Sequence, residues 1–214
     1  MLGFFSFTEI TDPSAHEVYN AWHQLDHLPE QFGVDGITFG ERWVRSPRCQ
    51  AAEAATSTLL ERFHYMTLYL LRDERVLQPF FDLAVRLRAE DRFFSERHAL
   101  LSGPFEVTGR WAAARVAVSP AVIPHRPARG VYVVVGPPVD GAELIEQPGV
   151  AGAWQFADHP SGRHVTVAFV DGDLWAVAGL LGPPSVAGAL PEWAGPLERV
   201  DAYHWDWFAT LTPQ

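Results

Sequence analysis

Apolar and polar residues repeat with two different periods along this chain, and the changes of period mark its elements. Residues 2–9, LGFFSFTE, form a short aromatic-rich run that suits a buried strand. Thr11 or Asp12 can cap the helix that follows, with Pro13 in its first turn, where a residue lacking an N–H is tolerated. In that helix Val18, Trp22 and Leu25 recur at helical spacing and predict the buried stripe. His16, Asn20, His23 and His27 make a second stripe, rotated from the first. Pro29 disfavours αR backbone at Leu28, so the helix is expected to end or kink there.

Residues 36–45 read as the second strand, and the Ala-rich stretch from Ser46 to Ser57 as a helical turn or loop. Residues 62–71 read as the third strand, with Phe63, Tyr65, Thr67 and Tyr69 on one face and His64, Met66, Leu68 and Leu70 on the other. Val76, Phe80, Leu83 and Leu87 predict a helix over about residues 74–89, and AARVAVS (113–119) a fourth strand. Strand, helix, strand, strand, helix, strand is the ferredoxin-like order.

The plan then returns in shorter form. Residues 119–130 hold three prolines without periodicity and read as a linker. GVYVVVGPP (130–138) is a strand and AELIEQ (142–147) a truncated helix. GVAGAWQFADH (149–159) echoes GVDGITFGERW (33–43), and the strand and helix of 163–181 echo those of 62–80. YHWDWF (203–208) is expected to close the series as a strand. The division is therefore a first ferredoxin-like repeat over 1–119, a linker over 120–129 and a shortened second repeat over 130–214. The second repeat lacks the histidine-bearing helix face, which predicts one working site rather than two.

Composition narrows the partners. A net charge of −10 argues against nucleic acid or an anionic membrane, both of which need clustered basic residues. No apolar run approaches the roughly 18 residues of a membrane span. The N-terminus has no basic segment and soon meets Glu9 and Asp12, unlike a signal peptide. Cys49 is the only cysteine, so no intrachain disulfide can form. A cytoplasmic location is expected. Eight Trp and fourteen Phe exceed what a small core usually needs, and predict a lined pocket or an interface.

One stretch carries a family pattern. The run Tyr19-Asn20-x-Trp22-His23, then Asp26-His27-Leu28-Pro29-Glu30, Gly36 and Arg42-Trp43, resembles the signature of EthD-like proteins over about the first seventy residues. Asp35-Gly36 stands where that pattern has Pro-Gly. The resemblance implies the dimeric α/β-barrel group, built on ferredoxin-like units from two chains. With the internal repeat it predicts an α+β chain whose two tandem repeats form a pseudo-dimeric barrel by themselves. A further homodimer stays open.

The chemistry follows from the same stretch. A histidine at a helix end against a sheet can act as a general acid or base near neutral pH, or simply cap the helix carbonyls. The match to the family's His-Leu-Pro favours His27 as the catalytic residue. Tyr19, Asn20, His23, Tyr65 and Tyr69 are the candidate substrate-binding residues. His23 and His27 at i and i+4 could reach one metal, but a third ligand does not stand out, with His64 and His204 the remaining histidines considered. Haem is conceivable because related barrels bind it. No cofactor and no metal are expected. Cys49 lies among Arg45, Pro47 and Arg48, a basic setting that can lower a thiol pKa. The expected activity is cofactor-independent proton transfer, giving dehydration, cyclisation or isomerisation, on a hydrophobic, aromatic or polyketide-like molecule in the barrel pocket, with the cofactor-free oxygenation that the resemblance to related barrels implies as a weaker branch. The alternative is a non-catalytic ligand-binding or accessory protein of a catabolic or biosynthetic pathway.

Overall fold

The computed structural model describes residues 1–182 and 190–201. The strand β1 (Leu2–Ile10) leads into a helical segment made of α1 (His16–Ala21), a π-helical turn (Trp22–His27) and α2 (Leu28–Gln31). β2 (Ile37–Val44), the short α3 (Pro47–Ala51), a two-residue β3 (Ala55–Thr56), β4 (Tyr65–Leu71), α4 (Leu77–Ala89) and β5 (Arg97–Ala112) complete the first unit. The second comprises β6 (Gly130–Gly136), α5 (Gly141–Ile145), β7 (Val150–Asp158), β8 (Arg163–Val170), α6 (Leu174–Leu181) and β9 (Trp193–Arg199).

In the first unit the strands lie in the order β2-β4-β1-β5, and in the second β7-β8-β6-β9, the same arrangement of first, second, third and fourth strands. β5 pairs with β7 and β9 pairs with β2, all antiparallel, so eight strands close a barrel within one chain. This is the α+β, pseudo-dimeric barrel that the sequence predicts. Closure removes free sheet edges, which would otherwise invite edge-to-edge association.

The barrel interior is a packed core. Phe5, Phe7, Trp43, Met66, Leu68, Val133, Trp154, Phe156, Val167 and Trp193 meet there from both units. Gly3 permits this packing, because a Cβ there would fall 2.5 Å from the Phe156 ring. A pocket inside the barrel is thus replaced by side chains. The open volume lies outside, between sheet and helices.

One strand prediction and the linker need correction. The segment 113–119 is not a strand; the fourth strand is β5, which pairs with β1 through residues 97–106 and with β7 through 106–112. Gly103, Pro104 and its many polar residues hid it from a reading of apolar alternation, and what selects it is the need to bridge two units. Residues 120–125, read as linker, form a 3₁₀ helix capped by the Ser119 side chain. YHWDWF (203–208) lies outside the described residues, and β9 occupies the closing position. Among the described residues no helix is long and apolar enough to cross a membrane.

Candidate functional site

The site is built on the helical segment after β1. The Asp12 carboxylate accepts the Ser14 N–H at 2.9 Å and starts the helix, with Pro13 beside it. Of the end or kink expected at Pro29, the helix does not end: Leu28 is αR and the chain stays helical to Gln31. The reason lies one turn earlier. The Leu28 N–H bonds to the His23 carbonyl, five residues back, so the hydrogen-bond ladder has already widened where Pro29 would clash and leave a bond unmade. The wide turn also keeps His27 and Gln31 in line with His23. The stripe prediction is therefore inverted. Val18 is 62% and Leu25 44% exposed, while His16, Tyr19, Asn20, His23, His27 and Gln31 are buried against the sheet.

Beneath this helix face, β4 and β2 present their outward rows. Tyr65, Thr67 and Tyr69 on β4 lie opposite Val44, Arg42 and Gly40 on β2. Gly40 lets the helix come close, since a Cβ there would meet Leu28 and the Tyr69 ring at 2.9 Å. The Tyr65 hydroxyl accepts from Asn20 Nδ2 at 2.7 Å and lies 2.9 Å from His16 Nδ1. Asn20 Nδ2 also donates to the His16 carbonyl, and its Oδ1 accepts from Arg42 Nη2 at 3.0 Å. Arg42 is fully buried, sits over the Tyr19 and Tyr65 rings at 4.9 and 5.1 Å, and reaches Gln24 Oε1 at 3.3 Å. Among the described residues no carboxylate pairs with it. Burial lowers His16 to about 4 and raises the Tyr65 phenol.

Beside this cluster lies a cavity of about 330 Å³ between the helical segment, α4 and the outer face of β1, β4 and β5. His23, His27 and Tyr69 line it; Tyr19, Asn20 and Tyr65 are not among its lining residues and stand behind it. Phe4, Phe80, Phe81 and Phe93 supply its apolar wall, with Gln31, Thr67, Arg88 and Arg97 as further polar groups. The His27 ring stacks on Trp22 with centroids 4.4 Å apart, meets Phe93 edge-on, and places Nε2 3.3 Å from the Gln31 amide. Burial, and then the charges of Arg97, Arg42 and Arg88, push His27 down to about 3; burial and Arg42 hold His23 well below its ordinary value. Both imidazoles are neutral at neutral pH. His23 Nδ1, His27 Nδ1, Gln31 Oε1, Thr67 Oγ1 and the Tyr69 hydroxyl are buried with no hydrogen-bond partner. Five such atoms on side chains around one cavity are far from the usual satisfaction of buried polar groups. A larger depression of about 860 Å³ between α4 and the turn after α2 is open and lined by Arg72, Arg75, Asp82 and Arg86. It has the character of a solvated surface.

The other candidates sit elsewhere. His64 Nδ1 accepts the Ile10 N–H at 3.0 Å and its ring abuts His16, so it belongs to the support and not to the cavity. His204 lies outside the described residues. Among the described residues no group of three His, Cys, Asp or Glu is placed to share a metal ion, so His23 and His27, with ring centroids 5.0 Å apart, lack a third donor. A volume of about 330 Å³ lies at the lower end of the range of small-molecule pockets. Cys49 is buried in α3, and burial raises its thiol to about 11, opposite to the lowering that its arginine neighbours suggested. Arg45 is turned to Glu53 instead.

Sequence reasoning missed Gln31, Arg42, Arg88, Phe93 and Arg97. Gln31 was findable, since it continues the i+4 spacing from His27. Arg42 stood in the family-like run. Phe93 and Arg97 come from the turn and strand that apolar alternation did not reveal.

No protein-family model matches the sequence, and no curated protein matches it. Solved structures do. A candidate chlorite dismutase matches 99% of this chain and 98% of its own at 9% identity and a TM-score of 0.56. A candidate monooxygenase from Fusobacterium nucleatum matches 94% and 92% at 12% identity and 0.52. HapK from Hahella chejuensis covers 53% of this chain and 99% of its own at 12% identity, with a TM-score of 0.37, too loose to carry an argument. At these identities the likeness is one of fold, that of the dimeric α/β-barrel proteins.

Proposed function

We propose that this chain is a small-molecule enzyme of EthD-like type that works without a cofactor, with the cavity beside His23 and His27 as its active site. The observation that carries this reading is the convergence of two neutral imidazoles and five unpartnered buried polar atoms on a cavity otherwise walled by aromatic rings. An aromatic or polyketide-like substrate fills the apolar part. The His27 imidazole takes a proton from carbon next to a carbonyl, the electron pair moves to the carbonyl oxygen, and the proton returns at another atom, giving isomerisation, cyclisation or loss of water. Tyr69, Gln31 and His23 hold the polar groups of the substrate. Tyr19, Asn20, Tyr65 and Arg42 fix the helix to the sheet and so set where His27 stands.

One observation favours the second reading, a non-catalytic binding protein. With arginines around it, His27 at about 3 is a weak base. The test is turnover of a panel of aromatic ketones and phenols by the wild type and by His27→Ala. An enzyme loses turnover in the variant and keeps most of its affinity for substrate. Absence of any His27-dependent turnover, with binding intact, assigns the chain to the binding proteins.

A further inference from the structure

We propose that the natural ligand of this cavity is an anion, an aromatic carboxylate of one or two rings whose charged end is taken by Arg97 and Arg88. The proposal rests on the reading of this cavity as the ligand site and adds the ligand's charge.

The protein is acidic overall, with 26 Asp and Glu against 16 basic residues, and its arginines are mostly spoken for. Arg45, Arg62, Arg72, Arg75, Arg92, Arg115, Arg126, Arg163 and Arg199 all pair with carboxylates. Of the seven that do not, among the described residues, Arg48, Arg86, Arg110 and Arg129 lie elsewhere, while Arg88, Arg97 and Arg42 stand at this one cavity or directly behind it. No Asp or Glu lines it. A chain with a surplus of acids has thus placed three arginines at or behind a cavity that no acid lines.

The arrangement costs energy that an anion would offset. Arg97 is largely withdrawn from water, and burial and the neighbouring Arg88 and Arg42 disfavour its charge. Arg88 and Arg97 both lie over one ring, with guanidinium carbons 4.0 and 4.6 Å from the Phe93 centroid. The ring offers partial compensation through its face. A carboxylate offers more, because a guanidinium presents paired N–H donors in the geometry a carboxylate accepts. The apolar wall of Phe4, Phe80 and Phe81 faces a ring system, and the volume admits one or two rings. A bound negative charge would also offset the arginine charges that, after burial, hold His27 below its ordinary value.

The test compares 2-naphthoate with its uncharged counterpart, 2-naphthamide, by calorimetric titration of the intact protein. The expected result is a preference for naphthoate of at least about tenfold, falling toward parity in the double variant Arg88→Gln, Arg97→Gln. Should that variant fail to fold, Arg88→Gln alone carries the test, since Arg88 is exposed on α4 and its loss is expected to remove part of the preference. Equal or tighter binding of the amide overturns the anion while leaving the cavity as the site. Binding of neither probe overturns the anion and the cavity together. A naphthoate preference that survives both substitutions overturns the assignment to these arginines. Naphthoate binding without any His27-dependent turnover upholds the anion and sinks the enzyme reading alone.

Discussion

The two units of this barrel have the same topology and opposite helix–sheet interfaces. Under α1 and α2 the first unit buries four histidines at the face or its rim, His16, His23, His27 and His64, together with Asn20, Gln31, Arg42 and three tyrosines. Under α5 and α6 the second buries Val134, Val139, Leu144, Val150, Ala153, Ala168, Leu174, Val177 and Ala178. Its buried Gln155 is satisfied, donating to the Val139 carbonyl at 2.7 Å. The small residues of the second face, Ala153, Ala168 and Ala194, let short helices sit down on the sheet and close the gap. The first face uses large polar side chains that do not all find partners, and a cavity stays open beside them. Fold and site are thus separable here: the second interface has the stability of ordinary apolar packing, and the first gives some of that up.

Acid should separate the faces most strongly. Burial lowers the pKa of all four histidines of the first face, so the unfolded chain binds protons near pH 6.5 that the folded chain refuses. Their stability contribution is complete above pH 6.5 and is lost as pH falls toward the folded values of about 3 to 4. Each histidine then costs about 1.4 kcal/mol per pH unit. Urea midpoints measured from pH 7.5 down to 4.5 should fall steeply below 6.5. A flat profile down to pH 5 would mean that these imidazoles are solvated and that the first face is not as described.

Substitution sharpens the contrast. On the proposed enzyme reading, His27→Ala should lower turnover by about 10²- to 10⁴-fold while the protein remains folded. Leu144→Ala, cut into the second face, should do the reverse, costing about 2–5 kcal/mol of stability while the surviving folded molecules turn over at the wild-type rate. Equal loss of activity in both variants would show that the second face contributes to the site. The smallest effect concerns the support. Tyr65→Phe removes the hydroxyl that serves both His16 Nδ1 and Asn20 Nδ2, and should cost about 1–3 kcal/mol in chemical denaturation. A neutral result would mean that water takes the place of the hydroxyl and that this support is not needed for stability.

Much of this was legible in the chain. The strand and helix periods of residues 2–9, 62–71 and 74–89, and their return after residue 130, led to the barrel because a chain carrying two ferredoxin-like orders has two sheets to close. The missing histidines in DGAELIEQP pointed to an asymmetric pair of faces. The helix stripe was read the wrong way round because hydrophobicity was taken as the guide to burial. Val18, Trp22 and Leu25 are the more apolar set, yet Asn20 and His16 are the ones with partners waiting on β4 and β2. A polar side chain can be buried when its partner is supplied, and Tyr65 and Arg42 stand 45 and 22 residues away from the Asn20 they bond.

The sequence by itself determined most of the order of elements, the two-fold plan and the stretch on which the candidate site is built, because these depend on local period and on residue type. Tertiary structure alone decided that Pro29 is passed through a widened turn, that β5 spans both units, and that the barrel is filled while the cavity lies outside it. It also decided that Arg88 and Arg97 come to the same cavity as His27. Each of those outcomes depends on contacts between residues far apart in the chain, where burial and charge are set by what another segment brings, and no local pattern encodes that.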